Sequence, residues 1–184
     1  SLNKKLSQTA SRMDSSVEDL QMLIDSGANI DAVVDGIPIL ESVLYSQSTE
    51  KLKYLLNLGA DTEIRDKFGN TPLAAAAINS YGPCIEQVSL LLEAGADIDA
   101  QDNVGNTALM STMFNNRASC TEELLKKGAS IEIRNNKGWT PFLCASSVEL
   151  NEDSLQKMKM LIEYGADWRA TGALGETALM LAAK

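Results

Sequence analysis

The chain has 184 residues, 45% of them hydrophobic, with 25 acidic against 16 basic side chains, three cysteines and no histidine. The net charge of −9 argues against nucleic acid as a partner, since phosphates ask for clustered Lys and Arg, and against anionic membrane surfaces. No apolar stretch approaches the ~20 residues of a membrane span and no signal peptide follows Ser1-Leu2-Asn3-Lys4-Lys5, so no membrane insertion is expected and the cytoplasm is the expected compartment.

Residues 1–33 open with Leu2, Leu6, Ala10 and Met13 at a helical step. Ser15-x-x-Glu18 reads as a capping box for a second helix, which carries Leu20 and Leu23-Ile24 and stops at Gly27-Ala28. In residues 34–66, Gly36-Ile37-Pro38-Ile39-Leu40 starts another pair of helices, the second running from about Ser48 to Leu58. Residues 67–102 begin Gly69-Asn70-Thr71-Pro72-Leu73 and continue in alanines; extra residues fall near Ser80-Tyr81-Gly82-Pro83, a loop by composition. Residues 103–135 hold Gly105-Asn106-Thr107-Ala108-Leu109, then Ser119-x-x-Glu122 as the expected cap of the second helix. Thr121 stands there where the other copies have an aliphatic residue or Met, a candidate weak point. Residues 136–171 begin Gly138-Trp139-Thr140-Pro141-Phe142 and are extended near Glu149 to Asp153. Residues 172–184 start a sixth copy at Gly175-Glu176-Thr177-Ala178-Leu179.

These segments are one unit repeated. Gly-Ala pairs begin at Gly27, Gly59, Gly95, Gly128 and Gly165, spaced 32, 36, 33 and 37 residues apart. Before each lies an apolar pair, Leu23-Ile24, Leu55-Leu56, Leu91-Leu92, Leu124-Leu125 or Leu161-Ile162, on one face of a helix. The glycine ends that helix because it takes the left-handed cap conformation without a Cβ clash. Thr71, Thr107, Thr140 and Thr177 stand where an N-cap is needed. Pro72 and Pro141 follow at the first helical position, which tolerates a missing N–H. Pro38 replaces the threonine in one copy, so that cap is lost. No unit buries its apolar face alone, and stacking makes the core.

The motifs Gly-Ala-Asp, then Asp66 or Asp102, then Gly69, Gly105, Gly138 or Gly175, then Thr-Pro-Leu or Thr-Ala-Leu, resemble the ankyrin repeat family across essentially the whole chain. The resemblance implies an all-α ankyrin-repeat solenoid of stacked helix-turn-helix units with β-turn or hairpin fingers. Residues 1–184 are read as a single domain: a degenerate N-terminal repeat 1–33, repeats 34–66, 67–102, 103–135 and 136–171, and a partial repeat 172–184. The family's histidine after Thr-Pro-Leu is missing; Glu41, Ala74, Met110, Leu143 and Met180 occupy its place, where plain packing is expected. The chain starts without Met and ends one helix into a repeat, so it is expected to be part of a longer protein.

Without histidine, Ser-His-Asp and Cys-His catalysis is impossible, and no phosphate-binding loop motif appears. The chain is read as no enzyme, with no cofactor and no metal. Asp61, Asp66, Asp97, Asp99 and Asp102 lie on turns, where Asp bonds its own backbone two residues on. Cys144 falls inside a first helix as a small core residue. Cys84 and Cys120 are expected to be free thiols, because stacked helices sit roughly 8–10 Å apart while a disulfide needs Cα atoms within about 7 Å.

The chain is therefore built to bind another protein, as a monomer; its acidity favours a basic partner or serves solubility alone, and the second reading is preferred. The resemblance places the binding face on finger tips and first helices. The tip positions flanking each finger glycine hold Phe68, Asn70, Val104, Asn106, Lys137, Trp139 and Leu174; Tyr45, Phe114 and Asn115 extend them from the ends of first helices. Phe68, Val104, Trp139 and Leu174 form a candidate stripe, since large apolar groups are costly to leave in water and Trp is enriched at binding hot spots. The competing reading folds these side chains onto neighbouring fingers, and it is preferred for Val104 and Leu174. Trp168 is expected to pack at a finger base. Two alternatives stand beside the interaction module. One is an immunity- or antitoxin-type inhibitor using the acidic stretch from Cys84 to Glu123, which holds seven acids against one base, Arg117. The other is an interaction arm of a larger protein.

Overall fold

A computed structural model describes residues 1–79, 82–115 and 117–183. Ser80 and Tyr81, half of the expected loop at 80–83, lie outside the described residues, as does Lys184. Helices make up the fold, together with, among the described residues, one antiparallel pair of two-residue strands. The residues fall into two units, Ser1–Asp97 and Ile98–Lys184.

The first unit contains α1 (Leu2–Ser11), α2 (Val17–Asp25), β1 (Val33–Val34), β2 (Ile37–Pro38), α3 (Ile39–Tyr45), α4 (Thr49–Asn57), α5 (Pro72–Ile78) and α6 (Cys84–Glu93). First helices α1, α3 and α5 pack in one row, and second helices α2, α4 and α6 in another. Leu6, Ala10, Leu20, Leu40, Leu52, Leu73 and Leu91 fill the space between them. The second unit contains α7 (Ala108–Thr112), α8 (Ala118–Lys126), α9 (Pro141–Ser146), α10 (Glu152–Glu163) and α11 (Ala178–Ala182). Here α7, α9 and α11 form the first-helix row, and α8 packs on α10. Leu181 of α11 buries against Leu143 and Ala170, while Leu179 and Met180 stay exposed.

The caps follow the repeat. Thr71, Thr107, Thr140 and Thr177 accept from the N–H groups of Ala74, Met110, Leu143 and Met180. Pro38 caps α3 with no side-chain bond. The Gly-Ala glycines all have positive φ. One finger is a true hairpin: Asp35 and Gly36, both at positive φ, join β1 to β2, as a two-residue hairpin turn requires.

Several local expectations shift. Met13 lies beyond α1 and is exposed. The capping box of α2 is Ser16 with Asp19, one residue later than expected. Ser15 is committed elsewhere: its hydroxyl donates to the Thr9 carbonyl and accepts from the Lys51 ammonium. Ser119 is inside α8 rather than its cap. The Ala118 N–H instead donates to the Asp153 carboxylate, 2.9 Å away. Thr121 satisfies its hydroxyl by donating to Thr112 Oγ1 at 2.9 Å, both side chains being buried. Cys84 and Cys120 are disulfide-bonded, not free. Axis spacing does not bound a Cα separation, because Cα atoms lie about 2.3 Å off each helix axis. Cys144 is buried and free, and burial pushes its thiol up to about 12. It is expected to resist iodoacetamide at neutral pH while the chain is folded and to react on denaturation, a difference that mass spectrometry reads directly.

Two ladders tie consecutive repeats. The acid four residues after each of the first four Gly-Ala glycines accepts a backbone N–H of the next repeat: Asp31 from Asp61, Glu63 from Asp97, Asp99 from Ser130, Glu132 from Asp167. Asp61, Asp66 and Asp102 do bond their own turns, whereas Asp99 reaches across to the next one. The second ladder uses buried polar side chains eight residues before the glycine. Lys51 donates to the Arg12 carbonyl, Gln87 to the Leu44 carbonyl, and Lys157 to the carbonyls of Thr112 and Asn115. Each thereby satisfies carbonyls near the end of the preceding first helix, which have no partner inside that helix.

Candidate interaction surface

Each unit carries a groove between finger tips and first helices. In the first unit a groove of about 390 Å³ is lined by Ile37 of one finger, Glu41 and Tyr45 of α3, Asp66, Lys67, Phe68 and Asn70 of the next finger, and Ile78 of α5. In the second unit a groove of about 520 Å³ is lined by Val104, Asn106, Phe114, Asn135, Lys137, Trp139 and Ser147. The finger geometry that aims these residues is set by the turn acid. Asp66 Oδ1 accepts from the N–H groups of Phe68 and Asn70, both at 2.8 Å. Asp102 does the same for Val104 and Asn106. Asn135 replaces the acid in the next finger and accepts from Lys137 and Trp139.

The predicted positions therefore gather in two groups. Tyr45, Phe68 and Asn70 share the first groove. Val104, Asn106, Phe114, Lys137 and Trp139 share the second. Phe68 is 62% exposed, with the Lys67 ammonium 5.0 Å from its ring centroid. The Lys137 ammonium lies 4.5 Å from the Trp139 ring, whose indole is half-buried. Asn70 and Asn106 spend their side chains on the fingers: Asn70 Nδ2 donates to Asp66, and Asn106 Oδ1 accepts from Asn135. Asn115 is separate from the Trp139 groove. It lines a smaller depression that also touches Phe114, and its carbonyl accepts from Lys157.

Three expectations are overturned. Val104, at 56% exposure, and Leu174, at 89%, do not fold back onto neighbouring fingers. Leu174 lines neither groove. Trp168 is not packed at a finger base; it is 53% exposed, with the Arg169 guanidinium 4.4 Å from its ring. An indole covered by a guanidinium on one face needs no core position. Glu41 is also more than packing. It is 5% exposed, and its Oε1 accepts from the Tyr45 hydroxyl at 2.8 Å. Among the described residues its Oε2 has no hydrogen-bond partner. Reading from the sequence passed over this residue as a site, although a lone acid among Ala, Met and Leu at one register position was the available signal.

Burial raises the Glu41 pKa above its ordinary value; the Tyr45 hydrogen bond opposes this and the charge of Asp66 adds to it. A carboxyl whose folded pKa is raised holds its proton more tightly in the folded state. Its cost is absent below the ordinary value of 4.5 and grows as pH rises toward the folded one. Glu41→Gln is therefore expected to match the wild type in acid and to melt at higher temperature at neutral pH. Thermal melts at the two pH values check this, and a lower melting point at neutral pH contradicts it.

The family model described as "Ankyrin repeats (3 copies)" matches residues 6–102, 39–135 and 80–171. The chain belongs to the ankyrin repeat family. Ankyrin repeats are in general protein–protein interaction modules. The human "SH3 and multiple ankyrin repeat domains protein 2" is 31% identical over 175 residues, 95% of this chain. The chain spans only 7% of the length of that relative. Among the described residues no ankyrin helix is long and apolar enough to cross a membrane.

Proposed function

We propose that this ankyrin chain is a non-catalytic module that holds a protein partner in its two finger grooves, with Phe68 and Trp139 as the anchors. The observation carrying this reading is the placement of Tyr45 and Phe68 in one groove, and of Phe114 and Trp139 in the other, each aromatic beside polar groups. Aromatic side chains in such concave sites are the usual centres of binding energy. The supporting residues are Asn70, Val104, Asn106 and Lys137; Asn115 and Leu174 lie apart from both grooves.

The acidic-inhibitor reading draws less support, because most acids of the middle stretch are engaged. Asp99 and Asp102 hold finger backbones. Glu86 pairs with Lys53, Glu122 with Lys126 and Glu123 with Lys127.

The test is affinity capture with the wild type beside a Phe68→Ala/Trp139→Ala double variant, the two first shown to melt alike. A hot-spot loss of about 2 kcal/mol or more per residue is expected to remove the partner from the double variant. Equal recovery of the same proteins by both overturns the groove reading.

A further inference from the structure

The first groove is lined by acids, one of them buried, whereas none lines the second. At the wall of the first sits Glu41, nine-tenths buried, with one carboxyl oxygen held by Tyr45 and the other unpartnered. A buried polar atom left unpaired costs free energy; Oε2 itself is closed to water, while the Glu41 side chain lines an open groove. Asp66 is near enough to raise the Glu41 pKa by its charge. The aromatic surfaces of Tyr45 and Phe68 line the same groove, and both side chains are about half exposed.

We infer that this groove is an arginine pocket: it receives the guanidinium of an arginine on the partner protein, with the Glu41 carboxylate as its acceptor once a side-chain rotation turns Oε2 to the groove, and the Tyr45 and Phe68 rings as its walls. The inference rests on the protein-binding reading of the grooves and gives that reading a chemical specificity. Three physical arguments favour arginine. First, the free oxygen is an acceptor, and a guanidinium brings several N–H donors in one plane. Second, a planar cation stacks on aromatic faces, and arginine does so better than the compact, strongly hydrated ammonium of lysine. Third, Glu41 loses its hydration when the chain folds. An arriving cation gains the attraction of the carboxylate without desolvating it again, a cost that often cancels the benefit of a buried ion pair. The resident cation, Lys67, lies against the Phe68 ring, so an arriving guanidinium has to displace its ammonium from that face. The net charge of −9 draws a cationic partner segment toward the chain at long range.

The experiment is an NMR titration of the whole chain at pH 8 with three probes: N-acetyl-arginine methylamide, the lysine analogue and the uncharged citrulline analogue. The Tyr45 and Phe68 ring resonances report occupancy. The arginine probe is expected to shift them saturably, with the lysine probe at least about fivefold weaker and the citrulline probe without saturation. Glu41→Gln is expected to weaken the arginine probe about tenfold or more, whereas Glu50→Gln, the same loss of charge at an exposed position of α4 outside the groove, is expected to stay within about threefold. Equal affinity of wild type and Glu41→Gln overturns the inference, as does a citrulline or lysine probe that binds as tightly as arginine. Failure here is distinct from failure of the broader reading. A partner released by Phe68→Ala/Trp139→Ala but held fully by Glu41→Gln leaves the interaction module standing and removes the arginine pocket.

Discussion

Lys157→Met is expected to destabilise the second unit by about 3–5 kcal/mol, the range for breaking a buried ion pair from one side. The Lys157 side chain is essentially inaccessible. Its ammonium donates to the Thr112 carbonyl at 2.8 Å and to the Asn115 carbonyl, and it pairs with Asp153 Oδ2 at 2.6 Å. Methionine keeps the apolar stem, so packing is largely retained and the loss isolates the polar head. What remains is the Asn115 carbonyl without its donor, the Thr112 carbonyl with only the Asn115 N–H at 3.4 Å, and a carboxylate without its cation. The damage extends further, because Asp153 Oδ1 also accepts the Ala118 N–H at the start of α8. The control is Lys159→Met on the same helix. Its side chain is 78% exposed and only 4.0 Å from Glu163, so a change within about 0.5 kcal/mol is expected. Urea unfolding followed by circular dichroism measures both. A loss under about 1 kcal/mol for Lys157→Met means that the second-helix ladder contributes little.

Gly105→Ala is expected to cost about 2–4 kcal/mol, and Gly128→Ala only about 1 kcal/mol, although both glycines have positive φ. Each substitution places a Cβ in the left-handed region, which costs about 1 kcal/mol. At Gly128 nothing lies within 4 Å of that Cβ. At Gly105 it would meet the backbone N of Asn136 at 2.8 Å and the Cα of Asn135 at 2.9 Å, both on the following finger. Backbone cannot rotate away as a side-chain end can. The finger must move, and with it the bond from the Asn136 N–H to the Val104 carbonyl. Equal losses at the two glycines, measured by the same urea unfolding, mean that the fingers do not depend on this close approach.

These two glycines differ in a way that local sequence does not encode. Both were legible as positions needing glycine, one ending a helix and one turning a finger. The contact that separates their expected costs is with a segment about thirty residues away in the chain, set by the stacking of repeats. Much the same holds for the candidate site. The finger tips were legible as the exposed positions, because the turn acid and glycine fix which residues flank the tip. That Phe114 joins Trp139 while Leu174 joins neither groove depended on helix lengths and on how α7 and α9 pack.

The sequence by itself determined the repeat, the all-α class, the threonine caps and the positive-φ glycines. All of these follow from local rules: apolar spacing within a helix, an oxygen for orphan N–H groups and the absence of a Cβ. The tertiary structure alone decided which polar groups serve the next repeat. It assigned Asp99 to Ser130 instead of its own turn, and Ser15 to Lys51 instead of a helix cap. It buried Lys51 and Lys157, which local rules leave on the surface. It also turned Glu41 into a buried carboxyl with one free oxygen beside two aromatic rings. The reason is common to all of these. A side chain's hydrogen-bond partner is chosen by what stacking brings within about 3 Å, and stacking joins residues a whole repeat apart.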